Sequence, residues 1–490
     1  MSPEFSLFEL HSYENRKTEP IMQYQILLIK PFVPIPNQSI DVPLGILSLS
    51  AYVKKEFGSQ VSVSCIDLRV YPSPLKILQT VLCQRQFHLV GISMLSFEQV
   101  FLYDALPVIH NYAPNAQIVI GGPFATSQYS EALRYPGINC VVMGEGEQIL
   151  CELVDRFMNN QSIDNVAGIA FQKNDTIICN SRQSYIQDLD RLPLLNYNHL
   201  YLKPYWRNHH QMNVILAKSR YMPVMSSRAC PFNCIYCHSL FGKKVRQKSP
   251  HRFVNELKVL YYQYRVREFH IIDDAFNIDR HRLHEILERI INSGMNIRLA
   301  FPNALRGDLL EKTDIDLLKA AGAYMLTLAI ESASDRIQRL MRKNLNIEKV
   351  MDNIAYASSI GLITNGYFML GFPTESQEEL NQSIDLAIHS SLDMVSFHIV
   401  VPFPGTKLYQ LCKKIYPAPL LSNSGRYQGN SSYYESITGI NVLKYQQQAY
   451  VRFYTPSRLL RLFSKVPRKA YFLERFFWAG LGVVTAGFRP

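Results

Sequence analysis

The sequence predicts an α/β protein with a doubly wound parallel sheet, then a partial (β/α)6 barrel and a mostly helical C-terminal tail. Two observations predict this order. Strand-like and helix-like segments alternate in two separate series, and 490 residues suffice for two or three domains with their own cores. We assign a flexible lead to 1–23, the doubly wound domain to 24–160, a linker to 161–215, the barrel to 216–410 and a basic, aromatic extension to 411–490.

The first series contains five strand–helix repeats, which predict a parallel sheet whose ligands bind beyond the carboxyl ends of its strands. Glycines at such ends either let a ligand approach the backbone or serve the turn itself. The candidate ligand-facing residues are the loop 31–43, Ser93, Gly121, Gly122, Gly144 and Glu145. The predicted elements are strands 25–30, 61–67, 89–93, 117–121 and 140–143, and helices 44–56, 75–84, 100–112, one near Glu131 and 147–158.

The second series predicts a partial barrel, whose active residues should lie at the C-terminal ends of its strands. Candidate residues at those ends are Asp273, Glu331 and the turns 371–374 and 402–406. The predicted strands are a short one before Cys230, then 268–272, 298–301, 325–330, 363–370 and 394–401. The predicted helices are 250–264, 280–293, 314–321, 334–341, 347–360 and 377–390.

Composition and charge argue against a membrane-spanning protein, a secreted protein and a nucleic-acid-binding protein. No run of about 18 apolar residues and no basic-then-apolar N-terminus supports a membrane span or a signal peptide. Nine cysteines without a paired pattern indicate a reducing compartment, so we expect a cytoplasmic protein.

Most of the net charge of +11 lies in 451–490, so the rest of the chain is nearly neutral and no nucleic-acid partner is expected. That tail mixes basic with aromatic residues, which indicates either peripheral membrane contact or a cap on the barrel.

Cys230, Cys234 and Cys237 have the spacing C-x3-C-x2-C near the start of the second series. Three thiolates on one tight loop can hold one metal centre, and soft thiolates select iron–sulfur clusters, zinc or copper(I). Because the loop has no fourth cysteine, a four-iron cluster bound here would keep one iron open to a substrate or cofactor. A structural zinc site would need a fourth ligand, for which His238 is the candidate.

This loop resembles the CxxxCxΦC motif of the radical S-adenosylmethionine (SAM) enzymes, in which Φ is aromatic and is Tyr236 here. The resemblance implies a 4Fe-4S cluster on the three cysteines, SAM chelated at the open iron, and adenine near Tyr236. It also implies reductive cleavage of SAM to a 5'-deoxyadenosyl radical, with a reductase or flavodoxin as electron donor. Family members usually have Gly before the first cysteine, where this chain has Ala229.

The glycine turns of the first series, together with the cysteine loop, resemble the cobalamin-dependent radical SAM enzymes. The resemblance implies that Ser93 and the residues 121–122 line a channel for the nucleotide tail of cobalamin, and that the turn 144–145 belongs to the same site. The loop 31–43 contains no histidine, so we expect no imidazole ligand to cobalt from it. A flavodoxin-like domain without a ligand is the alternative, in which the acids of the turn serve only the helix N-terminus.

The same resemblance implies that Glu331 contacts the ribose and methionine of SAM, and that Asp273 lies near SAM or cobalamin. A Glu331 that only satisfies a backbone turn is the alternative. The basic residues of the loop 241–248 are interpreted by default as solvated surface.

The implied function is a cobalamin-dependent radical SAM methyltransferase that methylates an unactivated carbon through a 5'-deoxyadenosyl radical and methylcobalamin. Its substrate would be a small molecule, a lipid or a peptide. Cofactors suit this chemistry because an sp3 C–H bond has no acidic proton for a side-chain base to remove. One alternative is a cyclase or oxidase without methyl transfer, similar to anaerobic magnesium-protoporphyrin ester cyclase. The other is a non-enzymatic carrier of metal and corrinoid.

Overall fold

The computed structural model describes residues 23–474 apart from 35–38, 182–184, 208–212, 214, 416–434 and 436–437. Most of the predicted lead and the end of the C-terminal extension therefore lie outside the described residues.

The elements follow in chain order. The strands are β1 (Tyr24–Lys30), β2 (Val61–Asp67), β3 (Leu89–Ser93), β4 (Gln117–Gly121), β5 (Cys140–Val142), β6 (Ile169–Lys173), β7 (Thr176–Cys179), β8 (Tyr221–Val224), β9 (Ser227–Arg228), β10 (Arg246–Gln247), β11 (Glu268–Ile271), β12 (Arg298–Ala300), β13 (Met325–Glu331), β14 (Ile363–Leu370) and β15 (Met394–Ile399). The helices are α1 (Leu44–Phe57), α2 (Pro74–Gln84), α3 (Phe101–Tyr112), α4 (Gly122–Ser127), α5 (Tyr129–Ala132), α6 (Glu147–Met158), α7 (Lys203–Arg207), α8 (Pro250–Gln263), α9 (Arg280–Asn292), α10 (Lys312–Ala320), α11 (Asp335–Leu340), α12 (Ile347–Ser359), α13 (Gln377–His389), α14 (Lys407–Ile415), α15 (Val442–Phe453) and α16 (Pro456–Lys465).

The N-terminal part is a seven-stranded sheet in the order β2-β1-β3-β4-β5-β6-β7. Strands β1 to β5 are parallel, and the strand order changes direction at β1, which creates the switch point where such sheets bind ligands. Alternate residues of β1 enter different cores, with Leu27 and Ile29 on one face and Ile26 and Leu28 on the other. Both faces are therefore covered, which confirms the doubly wound prediction.

The sheet continues past residue 160, where the sequence analysis placed a linker. β6 pairs antiparallel with β5, and β7 pairs antiparallel with β6. The connecting turn at Asn174 and Asp175 has positive φ at both residues, as tight hairpins require. The hairpin lacks a clear apolar period because β7 is mostly exposed, so its pattern resembles that of a loop.

Six parallel strands form the partial barrel, in two groups ordered β12-β11-β8 and β13-β14-β15. Backbone bridges from Leu299 to Ala323 and from Leu305 to Leu328 join the groups. The covering helices are amphipathic; α9, for example, buries Leu283, Ile286, Leu287 and Ile290, three to four positions apart. This arrangement confirms the predicted (β/α)6 architecture.

Helix α15 covers the open edge of the barrel. An edge strand exposes unpaired backbone groups. The N–H of Phe397 on β15 donates to Tyr450 Oη at 3.0 Å, and the N–H of Val395 donates to Tyr454 Oη at 3.3 Å. Gln446 Nε2 donates to the Phe397 carbonyl at 2.6 Å. Side chains of α15 thus satisfy backbone groups that a further strand would otherwise pair.

Helix α16 is fixed to the start of β15 through Asp393, which is fully buried. Arg461 Nε and Lys465 Nζ each donate to this carboxylate at 2.8 Å, and the Thr364 N–H donates to it at 3.0 Å. These basic residues cap the barrel, which is one of the two roles predicted for the tail; membrane contact stays a prediction. Among the described helices, none is long and apolar enough to cross a bilayer.

Asp393→Asn should lower the free energy of unfolding by about 2 kcal/mol, because it leaves two cations without their shared carboxylate in a buried setting. Urea denaturation followed by circular dichroism measures this change. The control is Asp385→Asn, which removes the partner of Arg452 from a pair that is about half exposed, with an expected change of about 0.5 kcal/mol or less. Equal effects in both variants would contradict the structural role of Asp393.

Candidate active site

A cavity of about 300 Å³ lies at the carboxyl edge of the N-terminal sheet and reaches the barrel. Its wall contains Ser93, Gly121, Gly122, Gly144 and Glu145 of the candidates predicted from the first series, whereas no described residue of the loop 31–43 lines it. These residues follow three different strands, and the parallel topology gathers them at one edge. The barrel contributes Val224, Met225, Ser227 and Arg228, so the cavity is shared by both domains.

Two adjacent glycines of the wall meet different constraints. Gly122 has a φ of 91°, and a Cβ there would lie 2.7 Å from the Met94 carbonyl oxygen, so no other residue fits without a shift of the backbone. Gly121 has a φ of −134°, which any residue adopts, and a Cβ there would meet nothing within 4 Å. The backbone at Gly121 therefore faces open space in the cavity. The tail of a cofactor could approach this backbone closely.

The acids of the turn after β5 pair with arginines of the barrel. Glu147 Oε1 accepts hydrogen bonds from Arg228 Nη2 at 2.6 Å and from Ser48 Oγ at 2.7 Å. Glu145 Oε1 lies 2.6 Å from Arg246 Nη1 and 3.2 Å from Arg228 Nη1. Burial alone would raise the pKa of Glu147, but Arg228 and Ser48 hold that pKa below its ordinary value. These carboxylates thus form ion pairs between the two domains, so their role is not limited to the turn and the helix N-terminus.

Sequence reasoning did not identify the two arginines. The loop 241–248 holds four Lys or Arg, and its default interpretation as solvated surface is wrong for Arg246, which is 4% exposed. Arg228 gave no signal except its position two residues before Cys230. The sequence does not show which carboxylates pair with these arginines, because Glu145 and Glu147 lie about 80 to 100 residues earlier in the chain.

The cysteine loop is held by hydrogen bonds from two sides. The Ile235 N–H donates to the Met341 carbonyl at 3.0 Å, and the Leu408 N–H donates to the Ile235 carbonyl at 2.8 Å. Within the loop, the Cys237 N–H donates to the Cys234 carbonyl at 3.3 Å. The end of α11 and the first turn of α14 therefore fix the middle of the loop between its second and third cysteines.

The bend before Cys230 is strained. Ala229 has a φ of 76°, in the left-handed region that favours glycine, and its side chain is buried. This conformation gives a physical reason for the glycine that related enzymes usually carry here. An alanine costs about 1–2 kcal/mol in this conformation, which the surrounding contacts must offset.

Asp273 supports the segment that leads into the cysteine loop. Its Oδ1 accepts from the Ser226 N–H at 2.6 Å, and its Oδ2 accepts from the Ser226 and Ser227 hydroxyls at 2.5 and 2.6 Å. Burial raises the pKa of Asp273. Both carboxylate oxygens therefore accept hydrogen bonds from Ser226 and Ser227, which lie four and three residues before Cys230.

Glu331 and Tyr236 meet at a buried lysine. Glu331 Oε1 accepts from Tyr236 Oη at 3.1 Å and from Lys343 Nζ at 2.8 Å. Glu331 has a φ of 68°, and β13 shifts its register against β14 at this residue. Its partners are side chains, one of them in the cysteine loop, so it does more than satisfy a backbone turn. The sequence pattern gave no signal for Lys343, which follows Arg342 in a polar segment.

The thiols differ in their surroundings. The neighbouring Cys237 thiol, together with Lys343 and Arg306, lowers the pKa of Cys234 to about 6, whereas burial raises the pKa of Cys230. A readily formed thiolate suits a soft metal centre.

A structural zinc ion needs four side chains that converge on one position. In the part of the chain that the structure describes, no three His, Cys, Asp or Glu side chains converge on one position where a single ion would bind. Cysteines of a four-iron cluster bind separate irons and need no such convergence. The ring of His238, the candidate fourth ligand, lies 5.9 Å from the ring of Phe403.

Two family models match the chain: the B12 binding domain at residues 39–154 and the Radical SAM superfamily at residues 224–387. An uncharacterized methyltransferase of Pyrococcus horikoshii is 29% identical over 371 residues, which cover 75% of this chain and 78% of the relative. The anaerobic magnesium-protoporphyrin IX monomethyl ester cyclase of Rubrivivax gelatinosus is 26% identical over 317 residues, covering 62% of this chain and 55% of the cyclase.

A solved structure shares the fold. The radical S-adenosylmethionine methyltransferase TsrM from Kitasatospora setae, with cobalamin and a 4Fe-4S cluster bound, matches with a TM-score of 0.67 at 18% identity. The match covers 81% of this chain and 76% of TsrM. With a B12 binding domain followed by a radical SAM domain, and with one cavity shared by the two, the chain belongs to the cobalamin-dependent radical SAM enzymes.

Proposed function

We propose that this enzyme is a SAM-dependent methyltransferase that acts on an unactivated carbon. One observation supports it above the others: the cavity wall runs from the glycines at the edge of the sheet to Arg228, two residues before Cys230. A cofactor bound against Gly121 would therefore lie close to the cysteine loop. Such closeness suits a reaction in which both domains act on one substrate.

The cofactors of this family are a 4Fe-4S cluster, SAM and cobalamin. When bound, the cluster supplies the electron that cleaves SAM, and cobalamin carries the methyl group. The chain's task is to hold and orient them. We assign the cluster to Cys230, Cys234 and Cys237, which lie on the loop that is hydrogen-bonded from both sides.

The remaining predicted residues receive roles from their contacts. We assign SAM binding to Glu331 and Tyr236, with Lys343 holding the Glu331 carboxylate in place. Asp273 is a positioning residue, since both its oxygens are bound to the backbone and hydroxyls before the cysteine loop. On the cobalamin side we assign Ser93, Gly121, Gly122 and Gly144 to the wall around the nucleotide tail, with Glu145 at its border.

The proposed substrate class is consistent with radical chemistry and with the charge distribution of the sequence. We propose a small molecule, a lipid or a peptide with an unactivated C–H bond, and a reductase or flavodoxin as the electron donor. The near-neutral surface outside the tail gives no support for nucleic acid as a partner.

Similarity to the cyclase supports a second candidate function, which is ring formation or oxidation without methyl transfer.

The reaction products distinguish the methyltransferase from the cyclase. After anaerobic reconstitution with iron and sulfide, and with SAM, hydroxocobalamin and a strong reductant, we expect both S-adenosylhomocysteine and 5'-deoxyadenosine, quantified by mass spectrometry. Deoxyadenosine without S-adenosylhomocysteine would support the cyclase. Neither product would support a carrier, and equal yields from the Cys230→Ala, Cys234→Ala, Cys237→Ala triple variant would contradict the cluster assignment.

Gly121→Leu should abolish retention of cobalamin, because a side chain at this position enters the open space of the cavity without straining the backbone. Gel filtration followed by the visible spectrum of bound hydroxocobalamin measures retention. Gly121→Ala is the matched control and should retain most of the cobalamin. Iron content after reconstitution should be the same in both variants; full cobalamin retention by the leucine variant would contradict the assignment.

Glu331→Gln should weaken SAM binding about tenfold, since a neutral amide cannot keep the charge-assisted hydrogen bond to Lys343. Equilibrium dialysis with the reconstituted protein measures the dissociation constant. Glu348→Gln on the exposed start of α12 is the control and should bind SAM as the parent does. Unchanged SAM affinity in Glu331→Gln would leave Glu331 with a structural role alone.

A further inference from the structure

The hairpin of β9 and β10 places two arginines opposite each other. Arg228 pairs in register with Arg246, and the two side chains are 8% and 4% exposed. Like charges directly opposite each other on neighbouring strands destabilise the pairing, and burial strengthens the repulsion. The hairpin on its own is therefore electrostatically unfavourable.

The compensating charges come from the other domain. Glu145, in the turn after β5, and Glu147, the first residue of α6, bring two carboxylates to the two guanidinium groups. The four buried charges sum to zero only when the B12 binding domain is docked on the barrel. The geometry of the hairpin and the docking of the domains are consequently linked.

Arg228 also connects two sites along the chain. Arg228 lines the cavity, and its backbone leads directly into the strained Ala229 and the first cluster ligand, Cys230. Arg228 Nη1 lies 3.2 Å from Glu145 Oε1, which also lies 2.6 Å from Arg246 Nη1, and both atoms of the first pair are buried. The position of Arg228 at the cavity wall is thus set by the two carboxylates of the other domain.

We propose that Arg228 is a positioning residue through which cobalamin binding and the cluster loop are energetically coupled. A cofactor held in the cavity between the two domains favours their docked arrangement, in which Glu145 and Glu147 fix the guanidinium of Arg228 and with it the backbone that leads to Cys230. Conversely, a cluster on the loop fixes Arg228 in the position that cobalamin needs. The coupling is reciprocal, since each ligand stabilises the arrangement that the other binds. This inference rests on the proposed cofactor sites but not on which product the enzyme makes.

The test compares hydroxocobalamin affinity with and without the cluster. Visible absorbance titration of the full-length protein, before and after anaerobic reconstitution, gives the two dissociation constants. We expect the reconstituted parent to bind hydroxocobalamin at least five times more tightly than the cluster-free parent. In Arg228→Gln the affinity should fall and the ratio should approach one, with iron content retained. Arg228→Lys should restore part of the affinity but not the ratio, because an ammonium lacks the planar fork.

Arg280→Gln, which removes a partner of Asp314 on the outside of the barrel, is the matched control and should keep the parental ratio. If Arg228→Gln does not fold, Glu147→Gln removes the same link from the opposite side and should also bring the ratio to one. A parental ratio of one, or a ratio above five in a folded Arg228→Gln or Glu147→Gln protein, overturns the coupling. Methyl transfer with a parental ratio of one would leave the proposed function intact while this inference fails.

Discussion

The four-charge cluster between the turn after β5 and the hairpin β9–β10 is the interaction on which the active site depends. Removing charges from water is costly, and their mutual attraction repays the cost only when geometry and hydrogen bonds are good. Here the pairs are short, and Ser48 adds a further donor to Glu147. Such a cluster contributes little net stability, but its charges are paired in the relative placement of the two domains that the structure shows. The cavity exists because of that placement.

Much of the fold could be predicted from the sequence because local patterns determine it. The five parallel strands alternate with amphipathic helices, and glycines mark the ends of β4 and β5. Topology alone then predicts that Gly121 and Gly144 share an edge, although 23 residues separate them. The hairpin of β6 and β7 was not predicted, because a mostly exposed strand shows no alternation of apolar and polar residues.

The contacts of the site could be predicted only in part. Tyr236 and Glu331 are recognisable because each lies in a motif, yet their mutual hydrogen bond spans 95 positions in the chain. Lys343, Arg228 and Arg246 carry no local pattern, since a buried cation looks like a surface cation until its counter-charge is known. Asp273 was recognised as important, but its contacts assign it to the support of the cysteine loop. Which polar group faces the protein and which faces a ligand depends on three-dimensional pairing.

The left-handed bend at Ala229 has a consequence for the cysteine loop. An alanine adopts this conformation at a cost, and hydrogen bonds of Asp273, Met341 and Leu408 hold the segments on either side of it. These partners come from the middle and the far end of the barrel. An isolated peptide of the cysteine loop would therefore lack the supports that set the positions of its three thiols.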